Sequence, residues 1–436
     1  MLNGLGLVLA GLTLVGCAIL FLVVLGLVHV LRLHLALRGE GTALEARLLG
    51  HPLPPDDALP HVVVQIPCYN EGTIVERAIA SCAGLDWPRD RLHIQVCDDS
   101  TDETTGLARA AAQRAAAAGI DVAVLHRDDR AEFKAGALRE AMAWPGHDYF
   151  AILDVDYVPA PDFLRRCMAA LLADPKLAFV QARPDFLNAD ENALTRAQAI
   201  ILDFHYGLEQ AARSWSNHVL PFNGTCGIWR RAAIEAGGGW RGDALTEDWD
   251  LSYRALIKGW RGVFLATVTV PGELPTQLGA WISQQKRWAA GVGQVAWRMV
   301  PTLLFYRGMS RSERWGALFP LFTWFGCLMF PATFLSAVAA ILLVPAAALV
   351  LGLVVYAAFA SVAIVLFALT LVANKFVGRT TPLGSFILDF VLVLGLVIYI
   401  SWANFRSFPA TLFGRRRVFV RTPKQGSTLS ASRGPR

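Results

Sequence analysis

Residues 315–373 form a run of 59 positions without a single Asp, Glu, Lys or Arg. A helix needs about 20 apolar residues to cross a bilayer, so this run suffices for two spans, with Pro345 a natural break between them. A second uncharged run covers residues 5–31. It exceeds the roughly 7–15 residues of a signal-peptide core and lacks a basic segment before it, which favours a retained anchor over a cleaved leader. After a short polar piece with Lys375 and Arg379, another span is expected at residues 386–402. Three spans after a cytosolic domain would leave the Arg-rich tail outside, against the positive-inside tendency. One stretch is therefore expected to be re-entrant or divided differently.

These runs account for the composition: 54% hydrophobic and only 17% charged, against roughly 25% charged in globular chains. Residues 34–314 keep the charge density of a soluble domain. The net charge of +5 gives no basic field for a nucleic acid. Much of the excess gathers near the apolar runs and at Arg415, Arg416, Arg417, Arg421 and Lys424, as cytoplasmic flanks of membrane helices do. The seven cysteines show no CxxC spacing and read as reduced thiols rather than disulfides or a zinc site. Beyond Lys424 the Ser, Gly, Arg and Pro composition reads as disordered. The expected division is an anchor (1–33), a cytosolic domain (34–277), interfacial helices (278–314), membrane helices (315–414) and a basic tail (415–436).

Between the apolar runs, short β-branched segments at residues 62–66, 94–97, 122–125 and 150–153 alternate with helix-like stretches such as 103–118 and 132–143. Strands spaced by helices imply βαβ units in a mostly parallel α/β sheet, which binds ligands at the carboxyl ends of its strands. Polar clusters follow the strands as that rule requires.

Pro67-Cys68-Tyr69-Asn70-Glu71-Gly72 ends the first strand. Tyr69 and Glu71 there can present a ring and a carboxylate to a nucleotide base, although an ordinary strand-to-helix turn looks the same. Asp98-Asp99-Ser100-Thr101-Asp102 ends the second. One acid suffices for a helix cap; the extra carboxylate can accept from a base N–H or ribose hydroxyls. Lys134, starting a helix, can neutralise a diphosphate or simply be solvated. Asp154-Val155-Asp156 follows an apolar strand. On an extended segment residues i and i+2 point the same way, so two like charges would converge and a divalent cation, Mg²⁺ or Mn²⁺, would relieve them. Thr246-Glu247-Asp248 offers a carboxylate as general base, or a capping box with Thr246 as cap. In Gln284-Gln285-Lys286-Arg287-Trp288, a helix places Gln284, Arg287 and Trp288 on one face. Arg287 suits a diphosphate and Trp288 a sugar ring, while Trp and Arg also mark a membrane interface.

In this order the clusters resemble the family 2 processive glycosyltransferases. Their cellulose, mannan, chitin and hyaluronan synthases share spaced D, DxD, TED and QxxRW elements, matched here by Asp98/Asp99, Asp154/Asp156, Thr246-Glu247-Asp248 and Gln284 to Trp288. The similarity covers residues 62–304. Val180-Gln181-Ala182-Arg183, the Phe222 to Arg230 stretch and Glu273-Leu274-Pro275 are most similar to the glucomannan-synthase branch and its bacterial relatives. Phe419-Val420-Arg421-Thr422-Pro423-Lys424 is similar to the FxVTxK gating loop of bacterial cellulose synthase, but differs at its third position and follows the last span.

The resemblance implies a GT-A fold and an inverting hexosyltransferase that polymerises sugar from UDP-glucose or GDP-mannose into a β-linked polysaccharide exported through its membrane helices. It implies Asp248 as base and Asp154 and Asp156 as metal ligands. Tyr69, Glu71, Asp98, Asp99, Lys134, Gln284 and Arg287 would hold the donor, and Trp288, Asn223, Gly224, Thr225, Cys226 and Glu247 the acceptor. The bilayer and the growing chain are the expected partners, nucleic acid is not, and homo-oligomers or accessory export proteins are compatible. The catalytic domain would face the cytosol of a multi-pass membrane protein. The alternatives are a non-processive transferase acting on a lipid, which needs no Trp platform, and a transporter or scaffold, which the lack of charge in the long apolar segments argues against.

Overall fold

The computed structural model describes residues 2–143 and 146–412; the Arg-rich tail with its Phe419 to Lys424 motif lies outside them. The strands are β1 (Val62–Cys68), β2 (Leu92–Asp98), β3 (Asp121–His126), β4 (Tyr149–Ile152), β5 (Leu177–Phe186), β6 (Gly227–Arg230) and β7 (Arg261–Gly272). The helices before and among them are α1 (Leu2–Leu49), α2 (Ile74–Ala83), α3 (Thr104–Ala117), α4 (Phe133–Ala141), α5 (Phe163–Leu172), α6 (Ala193–Asp203), α7 (Ala211–Trp215), α8 (Arg231–Ala236) and α9 (Glu247–Leu256). Then follow α10 (Leu278–Phe305), α11 (Arg311–Leu343), α12 (Ala348–Phe376) and α13 (Leu383–Leu412). All four expected strands are present within two residues at either end, and Pro345 does separate α11 from α12.

One mixed sheet runs β3-β2-β1-β4-β6-β5-β7. β1 pairs in parallel with β2 and β4, β2 with β3, and β5 with β7; only β6 is reversed, between β4 and β5. β1 is apolar on both faces because helices cover both. Val62, Val64 and Ile66 pack with α2, α3 and α5 through Val75, Ala108 and Leu164. Val63 points the other way, with Leu138 of α4, Phe150 and Trp229. The loops leaving β1, β2 and β4 therefore emerge side by side along one edge of the sheet.

The helix at the amino end is longer than the anchor alone requires: α1 continues unbroken to Leu49. Its buried Glu45 accepts hydrogen bonds from Ala266 N, Thr267 N and the Thr267 hydroxyl of β7, which tie the helix to the sheet. Small residues admit close helix approach: Gly16 lies against Thr333 of α11 and Gly26 against Phe319. Among the described residues, three helices are long and apolar enough to cross a membrane, within α1, α12 and α13; the apolar stretch Leu328–Leu343 of α11 is shorter. Large apolar side chains such as Leu7, Leu349 and Leu388 are exposed on them, as a lipid-facing surface would be. One expectation is corrected here. The apolar segments are not free of charge: Asp389 lies within α13, buried, and is held by Arg196 of α6 at 3.1 Å.

Candidate active site

The β1 and β2 loops are tied to each other. Asn70, in the left-handed region at φ 55°, donates from its N–H to the Ser100 hydroxyl and accepts from Thr101 N. Gly72 N donates to Thr104. The two aspartates at the end of β2 have separate partners. Asp98 is fully buried and accepts from Ser100 N (3.0 Å), the Thr105 hydroxyl (2.6 Å) and His126 Nδ1 (2.8 Å). Burial alone would raise its pKa, but these donors outweigh it and hold the carboxyl below its ordinary range. Asp99 is gripped bidentately by Arg127 at 2.7 and 2.8 Å. Neither carboxylate caps α3: the cap position belongs to Glu103, whose side chain makes no cap bond. Tyr69 stands under Arg130, whose guanidinium lies 3.4 Å from the ring centroid. Glu71 is half-buried in the same loop.

Lys134 is aimed by a strained turn. Glu132 and Phe133, immediately before it, both have positive φ (58° and 50°), a costly conformation for such residues that persists only when its surroundings enforce it. Arg127 donates to Phe133 O, and Gly242 N donates to Glu132. Lys134 Nζ then meets Asp154 Oδ1 at 2.5 Å and Gly224 O at 2.7 Å. Burial would lower its pKa, but Asp154, Glu247 and Asp248 raise it above normal, so the ammonium is a fixed cation.

The Asp154-Val155-Asp156 segment is not extended. It closes a turn with Tyr157 N on Asp154 O (3.0 Å), so the i, i+2 argument for convergence does not describe it. Asp154, with a side chain 38% exposed, faces Lys134. Asp156 is 4% exposed and accepts from Glu273 N at 3.2 Å. Glu273 is paired with Arg77 at 2.7 Å.

The loop between α7 and β6 supplies the floor. Gly224 has φ +78°, and a Cβ there would sit 2.9 Å from Asp248 Oδ2 and 3.7 Å from Lys134 Nζ, which only glycine avoids. Thr225 accepts from Asp154 N at 2.8 Å, and Cys226 is buried. Gln181 of β5 organises this loop, accepting from Asn223 N and donating to Thr225 O and Cys226 O. Asn223 Oδ1 accepts from Gln210, while its buried Nδ2 has no acceptor among the described residues.

The opposite wall is α9 against α10. Thr246 occupies the cap position of α9, but its side chain makes no cap bond, so the capping box is absent. Instead Thr246 packs on Gly291 of α10, and Leu245 N donates to Gln294 of the same helix. That close crossing carries half-buried Gln284, Arg287 and Trp288 to the Glu247-Asp248 corner. Asp248 is pushed up to about 8 by burial and by the charge of Glu247, against the pull of Trp249 N, Lys134 and Arg287. Burial lowers the pKa of Arg287, while Glu247, Asp154 and Asp248 oppose that shift. Two cations and three carboxylates thus share one recess.

This recess lies within the 60–291 stretch that matches the glycosyltransferase like family 2 model, more than half of the chain. The chain belongs to that family. The resemblance drawn from its motifs is borne out. It is 43% identical over 245 residues to glucomannan 4-beta-mannosyltransferase 2 of Arabidopsis thaliana, covering 55% of this chain and 46% of that one. It is 38% identical over 304 residues to glucomannan 4-beta-mannosyltransferase 1 of Oryza sativa subsp. japonica, covering 65% and 58%. The chain spans about half the length of the curated relatives it matches. Its fold is similar to that of a mannosyltransferase from Pyrobaculum calidifontis solved with GDP-Man and Mn²⁺, with a TM-score of 0.55 at 19% identity over 90% of this chain and 98% of that one. The family 2 domain here is a GT-A fold.

Three sets of residues at this family 2 site were given no role from sequence: the arginines after β3, Gln181, quoted only within the glucomannan-like stretch, and a π-helical turn. Arg127 and Arg130 follow β3, and their place after a strand was the available signal. Gln181 is a buried amide within an apolar strand, which periodicity alone does not explain. The third is the π-helical turn Phe204–Gln210, whose Glu209 joins His205 (2.9 Å) and Arg213 (2.7 Å). Burial opposes its ionisation, but Arg213 and His205 hold the carboxyl down at about 2.

Proposed function

We propose that this chain is a membrane-bound, inverting, processive hexosyltransferase that adds mannose from GDP-mannose to a β-linked mannan or glucomannan, with UDP-glucose as the competing donor. The observation that carries this reading is the convergence of Lys134, Asp154, Gly224, Glu247, Asp248 and Arg287 on one recess at the carboxyl edge of the sheet. The names of the Arabidopsis and rice relatives support the mannosyl choice.

In this mechanism Asp248 takes the proton of the acceptor hydroxyl as its oxygen attacks the anomeric carbon. The bond from that carbon to the diphosphate oxygen breaks on the opposite face, inverting the configuration. Lys134 and Arg287 face the charge that grows on the leaving diphosphate. Asp154 fits a divalent cation: it is a half-exposed hard-oxygen ligand whose Oδ2 is unengaged among the described residues. Mg²⁺ or Mn²⁺ held there, with Asp156 behind it, would supply further charge neutralisation at the diphosphate. Tyr69 under Arg130, with Glu71, Asp98 and Asp99, frames the nucleotide side, where Asp98 and Asp99 act by holding the loops rather than by offering unpaired carboxylates. Gln284 backs the donor sugar. Trp288 carries the acceptor sugar, with Asn223, Thr225, Cys226 and Glu247 along its path. A cleft lined by Lys286 of α10 and by Ile398, Tyr399, Trp402 and Arg406 of α13 would be the exit of that path. A cytosolic catalytic domain on a multi-pass membrane anchor would let the polymer leave there as it grows.

The test offers radiolabelled GDP-mannose, UDP-glucose, GDP-glucose and UDP-N-acetylglucosamine separately to purified membranes with Mg²⁺ or Mn²⁺. Label from GDP-mannose in ethanol-insoluble, mannanase-sensitive material is expected. Label confined to solvent-extractable lipid overturns the polymer reading.

A further inference from the structure

The amino edge of the same sheet carries a second cluster with no part in the transfer reaction. His61 precedes β1, His93 is the second residue of β2 and His147 precedes β4. Ring nitrogens of all three lie within 4.8 Å of one another. His61 Nδ1 and His93 Nε2 are 2.9 Å apart, and the His93 and His147 rings are 4.4 Å centre to centre. The ladder enforces this. Val62 pairs with both Leu92 and Tyr149, and Val63 with His93, so adjacent parallel strands bring the three histidines to one place.

The hydrogen-bond assignments leave the cluster incomplete. Asp121, first residue of β3, sits 2.7 Å from His93 Nδ1. A carboxylate can only accept, so His93 carries its proton on Nδ1 and offers a lone pair at Nε2. His61 Nδ1 must then donate to it. His147 is left over, and its buried Nδ1 has no partner among the described residues. Its loop is nonetheless fixed, since Arg231 donates through Nε to His147 O at 2.5 Å and through N to Asp148 O at 2.7 Å. An imidazole oriented by a carboxylate on its far nitrogen is the arrangement of metal-ligating histidines.

We propose that His61, His93 and His147 bind a divalent transition ion of the zinc class, with Asp121 orienting His93 and water completing the shell. Tetrahedral zinc at 2.0–2.1 Å from nitrogen needs ligand atoms ~3.4 Å apart, inside the range the cluster spans. Binding replaces the His61–His93 hydrogen bond and moves the His61 proton to Nε2, with no proton lost. The ion pins the amino ends of β1, β2 and β4, about 20 Å along the strands from the transfer site. It is a stabilising site rather than a catalytic one.

The full chain, purified in detergent and stripped with chelator, is titrated with Zn²⁺ against a chromophoric competitor and with Co²⁺ by visible absorption, while Tm is followed. One equivalent of Zn²⁺, the bands of nitrogen-ligated four- or five-coordinate Co²⁺, and a rise in Tm are expected. His93→Asn and His147→Ala abolish all three, Asp121→Asn weakens affinity 10- to 100-fold, and Asp154→Asn leaves binding unchanged. The proposal is overturned if the wild-type chain takes up no stoichiometric Zn²⁺, or gives only the spectrum of hydrated Co²⁺. It also fails if folded His147→Ala binds as tightly as the wild type.

Discussion

Asp98, fully buried, and Asp248, half-buried, stand at two corners of the site, both in acidic pairs, yet the protein treats them in opposite ways. Asp98 receives three donors, which stabilise its charge beyond what water would. Asp248 is desolvated, has a like charge beside it and receives one backbone donor, Trp249 N, so its ionised form is disfavoured. A carboxylate whose charge is already satisfied is inert and holds a loop. One whose charge is destabilised gains by taking a proton. On the proposed mechanism the difference separates scaffold from base.

The largest effect should come from removing the proposed base. Asp248→Asn keeps the shape and deletes the acceptor for the hydroxyl proton, and should lower kcat by about 10²–10⁴-fold in the donor assay. Stability should stay level or rise, because burial and Glu247 no longer oppose a charge. A variant that retains more than a tenth of wild-type kcat would remove Asp248 from the mechanism.

Asp98→Ala should show the reverse. It leaves Ser100 N, Thr105 and His126 without their shared acceptor in a partly buried pocket, and should cost about 2 kcal/mol, read as a fall in Tm of the detergent-solubilised chain. The pH signs differ too. Asp98 has a depressed pKa, so its stabilisation is present above the unfolded value near 4 and is lost as pH falls through the lower folded value. Asp248 has a raised pKa, so its contribution is full below about 4 and is lost as pH rises toward about 8. If Asp98→Ala unfolds at the wild-type Tm, the contrast between scaffold and base collapses.

How much of this contrast could be read from sequence depends on separation along the chain. The strands were legible because runs such as Val62-Val63-Val64 have no polar side to expose, and the carboxyl-end rule then placed the Tyr69, Asp98 and Asp154 clusters, which follow β1, β2 and β4, at one edge. Lys134 was legible as the start of a helix, but the positive φ of Glu132 and Phe133 that aims it was not, since neither residue type prefers that conformation. The split of Asp154 from Asp156 was hidden because a turn and an extended segment share the same letters. Arg127 reaches Asp99 across 28 positions, and Arg196 reaches Asp389 across 193. No local pattern encodes such pairs. The same holds for His61, His93 and His147, which only the strand register brings together. The reversal of β6 is likewise a tertiary outcome, its four residues carrying no mark of direction.

The smallest effect probes the cause of the contrast. Glu247 raises the Asp248 pKa by like-charge repulsion, second only to burial. A general base works deprotonated, so kcat/KM should rise with pH through the Asp248 pKa of the free enzyme. Glu247→Gln removes one negative charge next to it and leaves Lys134 and Arg287 in place. The rising limb should then move to lower pH by roughly 1 unit, worth about 1.4 kcal/mol of relieved repulsion. Kinetics across pH 5 to 9 would show the shift. Were burial alone responsible, the limb would stay where it is and kcat/KM would change by the same factor at every pH. That outcome would keep Asp248 as base but assign its tuning to the wall formed by α10, where substitutions at Gly291 that open the α9 contact should move the limb instead.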